Sequence, residues 1–133
     1  MKYGTVDMSQ YPVVVLRMNE VDPTPEEIDE FFDELENELE KREGHYVSKV
    51  YGQKNFVSSE TRVRMGKRSN AMNEKFKGRS RGTVVIQQSA IARMMIKGIM
   101  IVIKQKLPLK IVSNEREAEK ALNELLGLEM AKA

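Results

Sequence analysis

Two serines followed by a basic segment form the part of this sequence whose side chains are best suited to bind an anion. Ser58 and Ser59 precede a stretch, residues 60–82, in which Lys and Arg greatly outnumber the two Glu. If this stretch is helical, its N-terminus offers free backbone amides and the positive end of the helix dipole to a phosphate. The candidate residues for binding an anion or a partner are Arg62, Arg64, Lys67, Arg68 and Lys75. All of them except Arg62 share one flank of the predicted helix.

The two serines have two interpretations. In the first, a kinase phosphorylates Ser58 or Ser59, and nearby arginines hold the phosphate through charge-assisted hydrogen bonds. In the second, one of the serines is simply the N-cap of the helix, a position that serine commonly occupies. The sequence favours the N-cap and leaves the phosphorylation switch open.

Candidates for catalysis are few. His45 is the single histidine, and no Ser–His–Asp arrangement accompanies it in the sequence. The chain has no cysteine, which excludes a disulfide, a thiolate nucleophile and a cysteine-ligated metal. The segment GKRSN, residues 66–70, lacks the glycine spacing of a phosphate-binding loop. We therefore predict no catalytic residue, no metal site and no cofactor.

A second candidate surface is the apolar segment 90–106, which is predicted to be helical to about Gln105. Its apolar residues fall on two sides, whereas a helix that covers one face of a sheet needs only a single apolar stripe. The additional apolar contact, from Met95, Met100 and Ile103, is predicted to bind a partner protein or a second copy of the chain in a homodimer. Two alternatives remain: the helix is wedged between the sheet and a neighbouring helix, or it covers a bound lipid or other amphiphile.

Charge is distributed very unevenly along the chain, although the net charge is only +2. Residues 1–43 carry four basic and thirteen acidic side chains, and residues 49–110 carry fifteen basic and two acidic ones. Such a basic region favours an acidic protein partner or an anionic lipid or ligand. Nucleic acid has less support, because aromatic side chains for base stacking are scarce. Alternatively, the acidic and basic segments lie side by side in the fold and largely cancel.

Nine elements can be placed from periodicity and capping signals. Thr24, Pro25 and Glu27 form a capping box at the start of a helix that is predicted to end at Gly44. The predicted strands cover residues 3–8, 13–18, 45–52, 82–88 and 109–113, and the other helices begin near residues 59, 90 and 115. The inward face of the second helix is predicted to hold Met65, Ser69, Met72 and Phe76.

The order β-β-α-β-α-β-α-β-α predicts an α/β fold, with a mixed, mostly parallel sheet of about five strands and four helices. No linker or internal repeat divides the sequence, so we predict a single domain over residues 1–133, with residues 127–133 as a frayed tail.

This order and several segments resemble a bacterial STAS-like domain, the fold of anti-sigma factor antagonists, in the group with a distant relation to CRAL-TRIO lipid-transfer domains. The segments that carry the resemblance, within residues 3–126, are DMSQYPVVVLRM, DPTPEEIDEFFDELE, NFVSSETR and LPLKIVSNEREAEKALNELL. The resemblance implies that a partner kinase phosphorylates a serine at the start of the second helix, which corresponds here to Ser58 or Ser59. The chain departs from the family pattern at Val57, where an acidic residue is expected, and no glycine directly follows the serines.

These patterns predict a regulatory or protein-interaction module of bacterial signalling, which docks a partner through the second helix, the serine loop and the apolar third helix. A first alternative is binding of a lipid or other amphiphile under the third helix, as the relation to CRAL-TRIO domains implies. A second alternative is non-specific binding of nucleic acid. The N-terminus lacks the apolar core of a signal peptide, and the most apolar window, residues 99–103, is too short to span a bilayer. We therefore expect a cytoplasmic protein without a transmembrane segment.

Overall fold

A computed structural model of the chain describes residues 2–52, 57–102 and 107–127. Its elements follow the predicted order. The strands are β1 (Gly4–Asp7), β2 (Val13–Met18), β3 (Tyr46–Tyr51), β4 (Ser80–Ile86) and β5 (Leu109–Val112). The helices are α1 (Pro25–Glu40), α2 (Ser59–Lys75), α3 (Ala90–Val102) and α4 (Glu115–Leu126). The predicted α/β class is confirmed.

The five strands form one sheet in the order β1-β2-β3-β4-β5, which is also their order along the chain. β1 pairs with β2 in antiparallel orientation and the three remaining pairs are parallel, so the sheet is mixed and mostly parallel, as predicted. Each parallel pair is joined by a helix, and such crossovers are right-handed. Because the strands advance in one direction, α1, α2 and α3 lie on the same face of the sheet, and α4 lies on the other.

The sheet divides the apolar core into two parts. On the first face, α1 buries five side chains at helical spacing, namely Ile28, Phe31, Phe32, Leu35 and Leu39. They pack with Val14 and Leu16 of β2 and with Met72 of α2. On the second face, a smaller core joins α4 to the central strands and contains Val47, Val84, Ala118, Ala121 and Leu122. Neighbouring strand residues thus face opposite cores, as the two-residue period of a strand requires.

The sequence predicts that helix α1 ends at Gly44, but the helix ends earlier, at Glu40. The guanidinium of Arg79, which lies just before β4, donates to the carbonyl oxygens of Leu39 at 3.0 Å and Gly44 at 2.9 Å. Carbonyls of the last helical turn have no partner within the helix, and those of Glu38 and Leu39 also accept from Arg42, at 2.9 Å and 3.1 Å. A local residue and the distant Arg79 therefore cap this end together. The contact from Arg79 has no local signal in the sequence.

Strand β4 contains an extra residue near its start. The register between β3 and β4 shifts, so that three steps along β4, from Ser80 to Thr83, match two steps along β3. Gly82 lies within this irregularity at φ +133°, and a Cβ at this position would lie 2.7 Å from the carbonyl oxygen of Pro108. Both the backbone angle and the close neighbour therefore require glycine. As a result, Ser80 and Thr83 face the same side of the sheet, although they are three residues apart.

Candidate functional site

Ser58 is the N-cap of α2, because its hydroxyl oxygen accepts a hydrogen bond from the backbone N–H of Thr61 at 3.2 Å. The Asp22 carboxylate accepts hydrogen bonds from the Ser58 backbone N–H at 3.2 Å and from the Thr61 hydroxyl at 3.0 Å. An acidic group thus already occupies the positive end of this helix. Ser59, the other switch candidate, is exposed, and its hydroxyl accepts a hydrogen bond from Arg62 Nη2 at 3.0 Å.

Three of the predicted basic residues form ion pairs with α1. Arg64 and Arg68 lie 2.5 Å and 2.9 Å from the carboxylate of Asp29, and Lys75 lies 2.5 Å from that of Glu40. Two further carboxylates within 3.3 Å of Arg68 or Lys75 belong to Asp33 and Glu36. The hydrogen bond from Arg64 holds the pKa of the Asp29 carboxyl below its ordinary value. The acidic and basic segments therefore neutralise each other in part, which is one of the alternatives drawn from the sequence.

The two remaining basic candidates lie in different surroundings. Arg62 bends back toward the start of α2, where its Nη1 donates to the carbonyl oxygen of Val57 at 2.8 Å. Lys67 is exposed and makes no ion pair within the described ranges. It borders a wide, open groove between the N-terminal ends of α1 and α2, which Ser58 and Ser59 also line. The five basic residues therefore do not form one free cationic surface.

Met95 lies inside the protein, with 8% of its surface exposed, and this corrects its predicted place on an outer contact surface. Its Sδ accepts a hydrogen bond from the backbone N–H of Val57 at 3.2 Å, and the two residues form a small buried apolar cluster with Ala92. The exposed large apolar residues in the described part of α3 are instead Ile91, 63% exposed, and Met94, 71% exposed. The predictions for Ile103 and for the Met100 side chain fall outside the described residues.

A cavity of about 220 Å³ lies between the first face of the sheet and the helices α1, α2 and α3. Val50 and Val85 of the central strands contribute to its floor. The helical side chains around it include Phe31, Leu35, Met65, Met72, Met95 and Ile99. The wall is therefore mostly apolar, and the sheet and all three helices on its first face contribute to it.

A smaller pocket of about 90 Å³ adjoins this cavity, and three hydroxyl-bearing residues, Ser48, Ser69 and Thr83, line both spaces. The other polar residues that line it are Tyr46, Asn73 and Ser80. We call this pocket the polar end of the cavity. Polar groups are thus collected at one end of a mainly apolar space, an arrangement suited to a molecule with the same division.

Among the described residues, neither the cavity nor its polar end is lined by a charged side chain. The phenol of Tyr3 lies at the cavity wall and donates to Met65 Sδ at 2.8 Å. Burial raises the pKa of this phenol above its ordinary value, so the group is neutral at physiological pH. The site can therefore hold an uncharged or largely apolar molecule without burying an unpaired charge.

No family model, curated protein or solved structure matches this chain. The resemblance to STAS-like domains stays a prediction, which rests on the element order and the quoted segments. No helix in the described part of the chain is long and apolar enough to cross a membrane. Across the same ranges, no group of three or more His, Cys, Asp or Glu side chains is placed to hold a metal ion.

Sequence reasoning did not identify the cavity or its polar end. One signal was present, because the helical wheel of α2 places Ser69 on the inward face beside Met65 and Met72. A serine at an inward position indicates that the space in front of it is not filled by a purely apolar core. The sequence pattern did not indicate that Thr83 faces the cavity, since the orientation of this residue depends on the register shift at Gly82.

Proposed function

We propose that this domain binds a small apolar or amphiphilic molecule in the cavity between its sheet and the helices α1, α2 and α3. The observation that carries the proposal is the cavity itself, about 220 Å³ in volume and lined mostly by apolar side chains. This is the first alternative drawn from the sequence, and the cavity supports it. The proposed ligand lies under the inner side of α3, where Met95 and Ile99 line the space.

The size of the cavity argues against a simple packing defect. Protein interiors are close-packed, and voids much larger than a water molecule are few. An engineered apolar cavity of about 150 Å³ stays dry and takes up benzene, so the space here is large enough for a ligand of at least that size. A ligand that fills the space would cover apolar side chains that water otherwise contacts, and this favours binding.

The experiment that tests the proposal combines native mass spectrometry of the purified protein with thermal unfolding in the presence of ethylbenzene as a probe. We expect either a co-purified small molecule or a rise in Tm with ethylbenzene concentration, because a ligand that binds only the folded state stabilises it. A protein that carries no extra mass and whose Tm does not respond to the probe would contradict the proposal.

A matched pair of variants locates the site. Ala92 is 2% exposed and lines the cavity, whereas Ala90, at the start of the same helix, is exposed. Ala92→Leu adds three carbon atoms toward the cavity and should abolish the response to ethylbenzene. Ala90→Leu adds the same atoms on the outside and should leave the response unchanged. Equal responses in both variants would show that the probe binds elsewhere.

A second candidate function is docking of a partner protein on the outer side of α3. Ile91 and Met94 are large apolar residues there, 63% and 71% exposed, and exposed apolar residues of this size occur at contact surfaces. The double variant Ile91→Ser, Met94→Ser should weaken a pull-down interaction or the self-association seen in a concentration series. An unchanged interaction pattern would remove this candidate.

The ion pairs between α1 and α2 reduce the support for nucleic-acid binding, because they neutralise part of the basic flank.

A further inference from the structure

We propose that the ligand is a neutral amphiphile, whose single hydrogen-bonding group, such as a hydroxyl or carbonyl, lies in the polar end of the cavity. This inference rests on the proposed function, since it assigns the chemical class of the molecule that the cavity binds. Its basis is the collection of hydroxyl groups at one end of the space and the lack of charge in its described lining.

The polar end is produced by the register shift in β4. In a regular strand, residues three apart point to opposite faces. The extra residue at Gly82 brings Ser80 and Thr83 to the same face, where both line the pocket. Ser48 stands directly beside Thr83 in the register of β3 and β4, which places two hydroxyl groups on neighbouring strands. Bulges are often retained where they redirect a side chain toward a functional site.

The hydroxyls shared by the two spaces are available for a ligand. Ser48 has only 8% of its surface exposed, and its side chain faces both spaces. Within the described ranges, the side chains of Ser48, Ser69 and Thr83 make no hydrogen bond to another protein group. Buried polar groups in proteins almost always have a partner, from the protein, from water or from a ligand. A ligand that brings its own donor or acceptor would satisfy these groups.

The chemistry of the lining selects a neutral group over a charged one. Ser and Thr hydroxyls both donate and accept, and the Asn73 side chain does the same through its two ends. They can therefore pair with an alcohol, a ketone or an amide. A carboxylate or an ammonium group would lose its hydration without gaining an opposite charge from the described lining, which is unfavourable in a buried site.

Four probes of similar size separate these possibilities: ethylbenzene, benzyl alcohol, the positively charged benzylammonium ion and the negatively charged benzoate. Dissociation constants would be measured by NMR titration of the full chain. We expect ethylbenzene and benzyl alcohol to bind, and both charged probes to bind at least about tenfold more weakly than benzyl alcohol, as a partly uncompensated charge requires. Tighter binding of benzoate or of benzylammonium than of benzyl alcohol would overturn the neutral class.

Variants then test the location of the polar group. Ser48→Ala and Thr83→Val each remove a hydroxyl from the polar end, while Thr5→Val makes the same exchange at an exposed strand position and serves as the control. We expect each cavity variant to weaken the binding of benzyl alcohol by about fivefold, which is the usual net effect of one hydrogen bond. The affinity for ethylbenzene should stay unchanged or rise slightly. The control should change neither affinity.

The outcomes distinguish this inference from the function on which it depends. If no probe binds the unmodified protein, the proposed function fails and the inference fails with it. If ethylbenzene binds but the two cavity variants affect both neutral probes equally, the cavity is a binding site and only the assignment of its polar end is wrong. If the variants weaken the binding of benzyl alcohol but not that of ethylbenzene, the inference stands.

Discussion

The ammonium group of Lys49, a residue with only 5% of its surface exposed, lies 2.7 Å from the carboxylate of Glu115 in the first turn of α4. The carboxylate of Glu119, one turn later, lies 3.4 Å from the same nitrogen. The Tyr51 hydroxyl also donates to Glu115, and its ring centre lies 5.4 Å from the Lys49 nitrogen. Since α4 is the helix that covers the second face of the sheet, these contacts attach its start to β3.

Replacing Glu115 should loosen this attachment. We expect Glu115→Gln to lower the free energy of unfolding by about 1 kcal/mol, because Glu119 still faces the buried Lys49 and the exposed Glu115 carboxylate is screened by solvent. Urea unfolding followed by circular dichroism measures the change. Glu34→Gln is the control, since its contact with exposed Lys2 is 3.8 Å long, and we expect a change below about 0.5 kcal/mol. Equal losses in the two variants would contradict a special role for Lys49.

The carboxylates that pair with basic residues also make stability depend on pH. The hydrogen bond from Lys49 holds the pKa of Glu115 below its ordinary value, and that from Arg64 does the same for Asp29. A carboxyl group with a lowered pKa in the folded state contributes stability that is present above its unfolded pKa, which is about 4. That stability is lost as the pH falls through the lower, folded-state pKa. We therefore expect the urea midpoint to be nearly constant between about pH 7 and 5 and to fall below about pH 4.

Asp29→Asn isolates one part of this dependence. The variant should have a lower urea midpoint than the unmodified protein at neutral pH, because Arg64 and Arg68 lose their shared carboxylate. Its midpoint should then fall less steeply on acidification, since one fewer carboxyl has a lowered pKa. A variant that keeps the full acid dependence would show that the ion pairs between α1 and α2 contribute little to it.

Gly82 and Gly78 provide a matched test of the register shift. Both have positive φ, but a Cβ at Gly82 would lie 2.7 Å from the Pro108 carbonyl oxygen, whereas a Cβ at Gly78 would meet nothing within 4 Å. We expect Gly78→Ala to cost about 1 kcal/mol of unfolding free energy from its backbone angle alone. Gly82→Ala should cost at least about 2 kcal/mol, because the clash adds to that strain. Similar urea midpoints for both variants would argue against the close contact.

Ser58 and Ser59 can be separated by their effects on stability. Ser58→Ala removes the N-cap of α2 and should lower the free energy of unfolding by about 1 kcal/mol. Ser59→Ala removes an exposed hydroxyl in the first turn and should change it by less than about 0.5 kcal/mol. Thermal unfolding of the two variants measures both values. A larger loss for Ser59→Ala than for Ser58→Ala would show that Ser59, and not Ser58, caps the helix.

Much of the fold could be predicted because its signals are local. The capping box of Thr24 and Glu27 and the cap of Asn114 mark helix starts that the structure confirms. The sheet class follows from the alternation of elements, which requires parallel neighbours. The sequence places the end of α1 too late, at Gly44, and one of the two residues that cap its observed end, Arg79, lies 40 residues further along the chain than Leu39.

The candidate site was harder to predict because it depends on how elements meet. Met95 and Met94 are adjacent in one apolar helix, and only tertiary packing, which includes the hydrogen bond from Val57 to Met95, turns the first inward and the second outward. The shared face of Ser80 and Thr83 depends on an irregularity that hydrophobic periodicity does not reveal. The sequence therefore indicated an apolar third helix with possible ligands beneath it, but not the cavity or the residues that surround it.

The agreement between strand order in the sheet and strand order in the chain has a consequence for how the protein is made. As the chain leaves the ribosome, each new strand can pair with the one synthesised immediately before it, so this strand order allows the sheet to grow at one edge without reopening earlier pairs. The second face differs, because within the described ranges Val47 and Val84 pack against α4, which follows all five strands. Until α4 emerges, that face presents these valines to solvent and to chaperones. Nascent chains stalled before α4 should therefore be the stage most prone to aggregation.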